Sequence, residues 1–220
     1  MGPLNGIKIL EFSGIGPGPY CGMLLADLGA DVIRLSRIDQ KGSNNKYDIH
    51  NRSKRSIVAD LKNPKTLIEI RKLIQEMDVI FEGYRPGVME KLGLGPKECL
   101  KLNKSLVYGR MTGWGQDGPM SKRAGHDINY ISLSGALNAI GNESSKPSIP
   151  LNLIGDYGGG GMMLAMGILA AVISSSRTGK GQVIDSAMID GSLSLMSFFY
   201  SLQEMGIWKD KRQSNFLDGA

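Results

Sequence analysis

Two cysteines and two histidines among 220 residues exclude several kinds of chemistry at the outset. Cys21 lies in an apolar helical run and Cys99 sits between Glu98 and Leu100, so neither a disulfide framework nor a Cys/His zinc site can be built; no metal site is expected. Thiols this sparse suit a reducing compartment, and Cys21 reads as a small core residue rather than a nucleophile. Histidine catalysis has only His50 and His126 to draw on. Long hydrophobic runs are also missing. Tyr157 to Ser176 carries no charge for 20 residues, but glycines open it, serines close it, and its strongly apolar part, Met162 to Ile173, is too short for a bilayer. A buried core helix is the expectation, with no membrane span. The opening residues lack both a secretory signal and the myristoylation pattern. With no targeting signal, the expected location is cytoplasmic in a bacterium, and peroxisomal or mitochondrial in a eukaryote.

What is present is an ordinary globular composition, 41% hydrophobic and 21% charged, with 26 basic against 21 acidic residues. The excess of +5 is concentrated between Arg34 and Lys62. There Arg34, Arg37, Lys41, Lys46, Arg52, Lys54, Arg55 and Lys62 face only Asp39, Asp48 and Asp60. Such a concentration attracts a polyanion: a nucleic acid, an acidic membrane surface or a phosphorylated cofactor. A solvated loop accounts for a charge run equally well. Tyr47 is the single aromatic of the stretch, so it offers no stacking ladder for nucleic acid.

Strands and helices alternate along the chain. Ile7 to Phe12 reads as a strand, Ser13 to Pro19 as a tight loop, Tyr20 to Leu28 as a helix stopped by Gly29, and Asp31 to Leu35 as a second strand. Ser56 to Asp60 is a further strand. Asn63-Pro64 caps a helix whose apolar positions Leu67, Ile70, Ile74 and Met77 recur at spacings of three and four. Strands follow at Val79 to Glu82, Leu106 to Met111 and Gln182 to Ser186, and helices at Ile128 to Ile140 and Ile189 to Met205. The expected fold is α/β, a doubly wound, mostly parallel, Rossmann-like sheet. Residues 1–205 are expected to form one domain, and 206–220 read as the start of a linker.

The first loop places Gly14, Gly16 and Gly18 where a dinucleotide fingerprint would sit. The spacing is GxGxG with Pro19 at the third glycine's place, and the acid wanted after the second strand is replaced by Arg34 and Arg37. These details argue against a nicotinamide cofactor and toward another phosphate, although arginines flanking a strand also occur on plain surfaces. His50 reads as exposed and idle. His126 stands in Ala-Gly-His-Asp-Ile-Asn-Tyr beside Asp127, where an imidazole suits proton transfer near neutrality. Asp156 precedes four glycines at the start of the buried helix. It is either a helix cap or a reactive carboxylate, with the glycines admitting a ligand closely.

The strings GIKILEFSGIGPGPYCGMLLADLGADVIRL, RSIVADLK, EGYRPGVMEKLGLGP, GWGQDGP, AGHDINYIS, LNLIGDYGGGG and TGKGQVIDSAMIDG closely resemble the α-methylacyl-CoA racemase branch of the class III CoA-transferase (CaiB/BaiF-type) superfamily. The likeness runs along nearly the whole chain. It implies a racemase that interconverts (2R)- and (2S)-2-methylacyl-CoA thioesters, with His126 and Asp156 as the pair of bases. In the family's transferases the aspartate matching Asp156 forms an acyl anhydride, and histidine is not usual before the Asp127 match; His126 therefore favours the racemase. The resemblance also implies CoA contacts at Arg37, Ala59, Asp60, Leu61, Lys62, Gly83, Tyr84, Arg85, Lys91, Gly125, Asp127, Ile128, Asn129 and Tyr130. Lys91 departs from the arginine of close relatives and loses its planar fork. No cofactor is implied beyond the CoA moiety of the substrate.

On this reading one base removes the α-proton, a planar enolate forms, and the opposite acid reprotonates the other face. The glycine-rich helix start near Asp156 is expected to supply hydrogen-bond donors to the enolate oxygen. Family members are considerably longer, with a second, smaller domain and an interlocked homodimer. From 220 residues alone the expectation is therefore weak or absent activity and exposed apolar surface. A CoA-transferase, or a non-catalytic CoA-binding fragment, is the alternative.

Overall fold

The computed structural model describes residues 2–12, 14–37 and 47–219. Ser13 of the first loop and Asp39, Lys41 and Lys46 of the basic stretch lie outside the described residues.

A parallel sheet of six strands forms the centre. β1 (Lys8–Phe12), β2 (Asp31–Ser36), β3 (Arg55–Val58), β4 (Val79–Glu82), β5 (Val107–Thr112) and β6 (Val183–Ala187) lie in the order β3-β2-β1-β4-β5-β6. Every pairing is parallel, with Ile9 opposite both Val32 and Val79, and Glu82 opposite Arg110. This is the doubly wound order in which the chain reverses direction between β1 and β4. Ligands of such sheets bind in the crevice beyond the carboxyl ends of the strands at that reversal.

Alternating side chains of the strands feed two separate cores. Ile9, Val32, Val79, Phe81 and Val107 pack with Cys21 and Leu25 of α1 (Pro17–Asp27) and with Leu164 and Ile168 of a late helix. On the other face, Leu10, Phe12, Leu35, Ile80 and Tyr108 pack with Ile70 and Ile74 of α2 (Pro64–Gln75), Met89 of α3 (Val88–Lys91) and Cys99 of α4 (Pro96–Leu102). The Asn63 cap is as the sequence suggests, its side chain accepting from the Lys65 amide at 3.0 Å. Both thiols are buried, and burial pushes the Cys99 thiol up to about 12.

Three expected elements differ in extent. α1 begins at Pro17, because proline's fixed φ and missing N–H suit a first turn. The helix expected over 128–140 is two, α5 (Asp127–Leu133) and α6 (Ala136–Ala139), broken by Gly135 at φ 77°. The last helix begins earlier and divides at Met196 into α8 (Met188–Leu195) and α9 (Ser197–Glu204).

The uncharged stretch lies in a helix that runs from Leu153 to Thr178. It starts as ten π-wound residues, Leu153–Met162, and continues as α7 (Met163–Thr178). It is long and apolar enough by composition to cross a membrane. Its Leu164, Ala165, Ile168 and Ala171 nevertheless pack in the core, and a single helix of this kind shows no membrane span. Met166 and Ile173 on its outer side, and Leu193, Leu195 and Phe198 further on, are exposed. Residues 206–219 form turns that fold back. Arg212 donates to the carbonyls of Asn138, Asn142 and Ser145 at 2.8–3.0 Å.

Candidate active site

A cavity of about 580 Å³ opens at the β1/β4 reversal. The loop after β1, Gly14 to Gly18, forms one wall, and Gly83 to Pro86 after β4 form the next. Trp114, Ser121, Arg123 and Gly125 to His126 come from the segment after β5, with Tyr130 of α5 behind them. Asn152, Asp156 and Tyr157 close the last side with Met188 and His50. A second groove, about 400 Å³, lies between α6, α9 and the folded-back end, and holds none of the residues singled out in the sequence.

His126 and Asp156 thus line one cavity, although 30 positions apart in the chain. His126 is exposed and precedes α5, its backbone N–H donating to Asn129 Oδ1 at 2.9 Å. Asp156 is half-buried on the π-wound segment, and its Oδ2 accepts from Asn152 Nδ2 at 3.2 Å. Gly16, at φ 65°, passes so close that a Cβ there would lie 3.2 Å from Asp156 Oδ2.

Asp127 joins the two positions. Its buried carboxylate accepts the Asp156 amide at 2.7 Å and is also bonded by the Gly155 amide. Burial raises its carboxyl pKa, and the two amides oppose that rise. This corrects one sequence expectation, since the Gly155 and Asp156 amides already serve Asp127 and are not open to an enolate oxygen.

The four glycines after Asp156 also act differently from expectation. A Cβ on Gly159 would lie 2.7 Å from the Ser192 amide nitrogen, and one on Gly161 would lie 2.7 Å from the Pro17 carbonyl oxygen. They bring α8 and α1 against the π-wound segment rather than admitting a ligand.

Of the other residues predicted, Gly83, Tyr84, Arg85, Gly125 and Tyr130 line the cavity. Gly125 and Gly113 make room for the edge-to-face pair Trp114–Tyr130, whose ring centroids are 4.7 Å apart. Burial, then the Asp156 and Asp127 carboxylates, push the Tyr130 phenol up to about 12, so it stays a donor. Tyr84 Oη and Trp114 Nε1 are buried and make no hydrogen bond among the described residues. Arg37, Ala59, Asp60, Leu61, Lys62, Lys91, Ile128 and Asn129 do not line the cavity. Arg37 and Ala59 to Lys62 follow β2 and β3 on the same carboxyl edge of the sheet, the Ala59 amide bonded to the Ser36 carbonyl at 2.9 Å. Lys91 is exposed at the end of α3.

His50 is not the idle surface residue expected. It is half-buried on a 3₁₀ turn, Ile49–Asn51, with its ring 5.6 Å from Tyr157 and 6.0 Å from Tyr20. Contacts of the turn with α1, invisible in the local sequence, bring it there. Asn152 was also missed. Its spacing of four before Asp156 was the only available signal.

Beside the first loop, Lys54 Nζ binds Glu11 Oε2 at 2.6 Å and the Pro19 carbonyl at 2.8 Å, with both side chains buried. Burial raises the Glu11 carboxyl and lowers the Lys54 ammonium, against their mutual attraction. The pair ties β1 and the approach to β3 to the first turn of α1.

Fold and cavity together define an open α/β protein with a cavity at the reversal of the sheet, where such folds bind their ligands. Two prolines in the first turn of α1 remove amides that a dinucleotide's pyrophosphate would use. The chain belongs to CoA-transferase family III, whose sequence profile matches residues 4–216. It is 47% identical to the α-methylacyl-CoA racemases of Mus musculus and Homo sapiens, over 99% of its length in each case. It spans only 56% of either of those proteins. The crystal structure of a CaiB/BaiF family protein from Brucella suis superposes with a TM-score of 0.84 at 31% identity, covering 93% of this chain and 58% of that one.

Proposed function

We propose that the chain carries the CoA-binding and proton-transfer part of an enzyme that epimerises 2-methylacyl-CoA thioesters. The observation that carries this reading is the meeting of His126 and Asp156 in one cavity at the reversal of the sheet. The similarity to proteins named α-methylacyl-CoA racemase supports it. The diphosphate and 3′-phosphate of CoA would lie along the carboxyl edge, on Arg37, Ala59 to Lys62, Gly83 to Arg85 and Lys91. The acyl thioester would reach past Tyr84 toward Asp156. One of the pair removes the α-proton, and the other delivers a proton to the opposite face of the enolate, the roles exchanging with the enantiomer bound. The Tyr130 phenol, held protonated, donates to the oxygen on which charge develops. No cofactor beyond CoA enters the scheme. The working enzyme is a homodimer in a reducing compartment.

The test is α-proton exchange. The purified chain is incubated with a (2R)-2-methylacyl-CoA in D₂O, following deuterium at C2 and chirality together. His126→Ala or Asp156→Ala is expected to lose at least about a hundredfold of the exchange rate, the usual scale for a general acid or base. Near-wild-type exchange in either variant sinks the assignment of the pair. A CoA-dependent acyl-enzyme trapped at Asp156 would move the reading to a CoA-transferase. Tight CoA binding without exchange would make the chain a binding half.

A further inference from the structure

Under the Gly83–Arg85 segment lies an ion triad that the proton transfer does not use, with Glu82 and Arg110 buried and Glu90 at the surface. Glu82 ends β4 and Arg110 stands directly opposite it on β5, at 2% and 8% exposure. The pleat turns both toward the α3 face. Arg110 Nε meets Glu82 Oε1 at 3.2 Å, and its Nη1 meets Glu90 Oε1 on α3 at 2.9 Å. The second oxygen of Glu82, Oε2, accepts the Tyr84 backbone N–H at 2.7 Å. One guanidinium therefore joins the end of β4, the loop hung from it, and the short helix that ends in Lys91.

Stability alone does not call for this arrangement. Well-packed apolar side chains in the place of a buried ion cluster are often neutral or more stable, whereas removing one partner of such a cluster is costly. What the triad adds is direction. The guanidinium fork fixes two carboxylates at once, one under the cavity-lining Gly83–Arg85 loop and the other on α3 beside it.

We propose that Arg110 and Glu82 are positioning residues that hold the Gly83–Arg85 loop and the Lys91 end of α3 in one arrangement for the phosphates of CoA. The assignment rests on the reading of those two segments as CoA contacts.

The experiment combines backbone amide exchange with titration of CoA and of acetyl-pantetheine, which lacks the phosphates. It uses the 220-residue chain with Glu82→Gln, Arg110→Lys and Glu90→Gln. Glu82→Gln keeps an acceptor for the Tyr84 amide but removes the charge. Arg110→Lys keeps the charge but loses the fork. Glu90→Gln changes only the outer arm, so it reports even if the buried variants do not fold. Amides from Tyr84 to Leu92 are expected to exchange about tenfold faster in the first two variants, the scale of one charge-assisted hydrogen bond, with β1 and α7 unaffected. Glu90→Gln loosens only Val88 to Leu92. CoA affinity falls about tenfold with the loosening, and acetyl-pantetheine affinity does not.

Unchanged exchange over 84–92 overturns the proposal. So does faster exchange spread evenly over the sheet, or an equal loss of CoA and acetyl-pantetheine, since both mark a general stabilising role. A wild-type chain that binds no CoA refutes the CoA reading. The exchange pattern then decides by itself whether the triad holds the two segments together.

Discussion

Asp127 shows how a residue beside a proposed base can matter without touching the reacting atoms. Its carboxylate holds the Gly155 and Asp156 amides, and so sets where the Asp156 side chain starts from. Asp127→Ala leaves two buried amides unpaired, at about 1–3 kcal/mol each. The urea midpoint should fall accordingly, and Asp127→Asn, which retains one acceptor oxygen, should recover part of the loss. Glu82 makes a different prediction. Burial raises its carboxyl from 4.5 to about 7, so between those values the native state binds protons at Glu82 that the unfolded chain has released, and the ion pair with Arg110 is complete only above that window. Its contribution to stability therefore falls as pH rises across that window. Unfolding measured from pH 4.5 to 7 should show this slope in the wild type and a flatter one in Glu82→Gln. At this scale the sequence was legible where residues stand in recognisable motifs, as at His126 and Asp156, which line one cavity. It was not legible where partners are distant: Glu82 and Arg110 read only as charges inside apolar strands, and Lys54 as one more base in a basic stretch.

Elements were legible where local pattern and tertiary demand agree. Val79 to Glu82 reads as a strand from its Val-Ile-Phe run between Asp78 and Gly83, and all four of its positions are buried. Asn63-Pro64 starts a helix by its own capping chemistry. The break at Met196 was not legible, because the apolar pattern continues through it, and the one at Gly135 rested on a single glycine that a helix interior also tolerates. The π-wound segment was least legible of all. Wide turns are disfavoured locally, and here the close approach of α8 and α1 to four glycines accompanies them. Gly191 of α8 marks the tightest point, where a Cβ would lie 1.8 Å from the Gly159 carbonyl oxygen. Gly191→Ala must therefore separate two backbones rather than rotate a side chain. It is expected to cost at least the roughly 1–3 kcal/mol of core overpacking, and to displace Asp156. A thermal melt reads the first effect, and loss of slow exchange at the Asp156 amide reads the second. An alanine variant of wild-type stability would mean that the contact yields easily.

At the scale of the whole molecule, two buried ion clusters stand on opposite faces of the sheet, at the ends of the two strands that flank its reversal. Glu11 with Lys54 steadies the loop after β1, and Glu82 with Arg110 steadies the loop after β4. Both loops are cavity walls, so the charge buried in this fold is gathered around the proposed ligand rather than spread through the core. On the proposed reading, the exposed bases along the carboxyl edge play the complementary part, since charges in water attract phosphates without a large desolvation cost. CoA should therefore stabilise the chain by mass action, by about 2.7 kcal/mol at a hundred times its Kd. For a protein of this size that is a rise in Tm of about 5–10 °C. The rise should shrink as salt is increased from about 0.05 M to about 0.5 M, because exposed pairs are screened over a few ångströms at the higher strength. Lys62→Ala and Arg85→Ala should each reduce both the shift and its salt dependence, whereas a surface base away from this edge, such as Lys180, should change neither. A shift indifferent to salt would place the binding energy in the pantetheine arm and the cavity, and would leave the basic edge as a solvated surface.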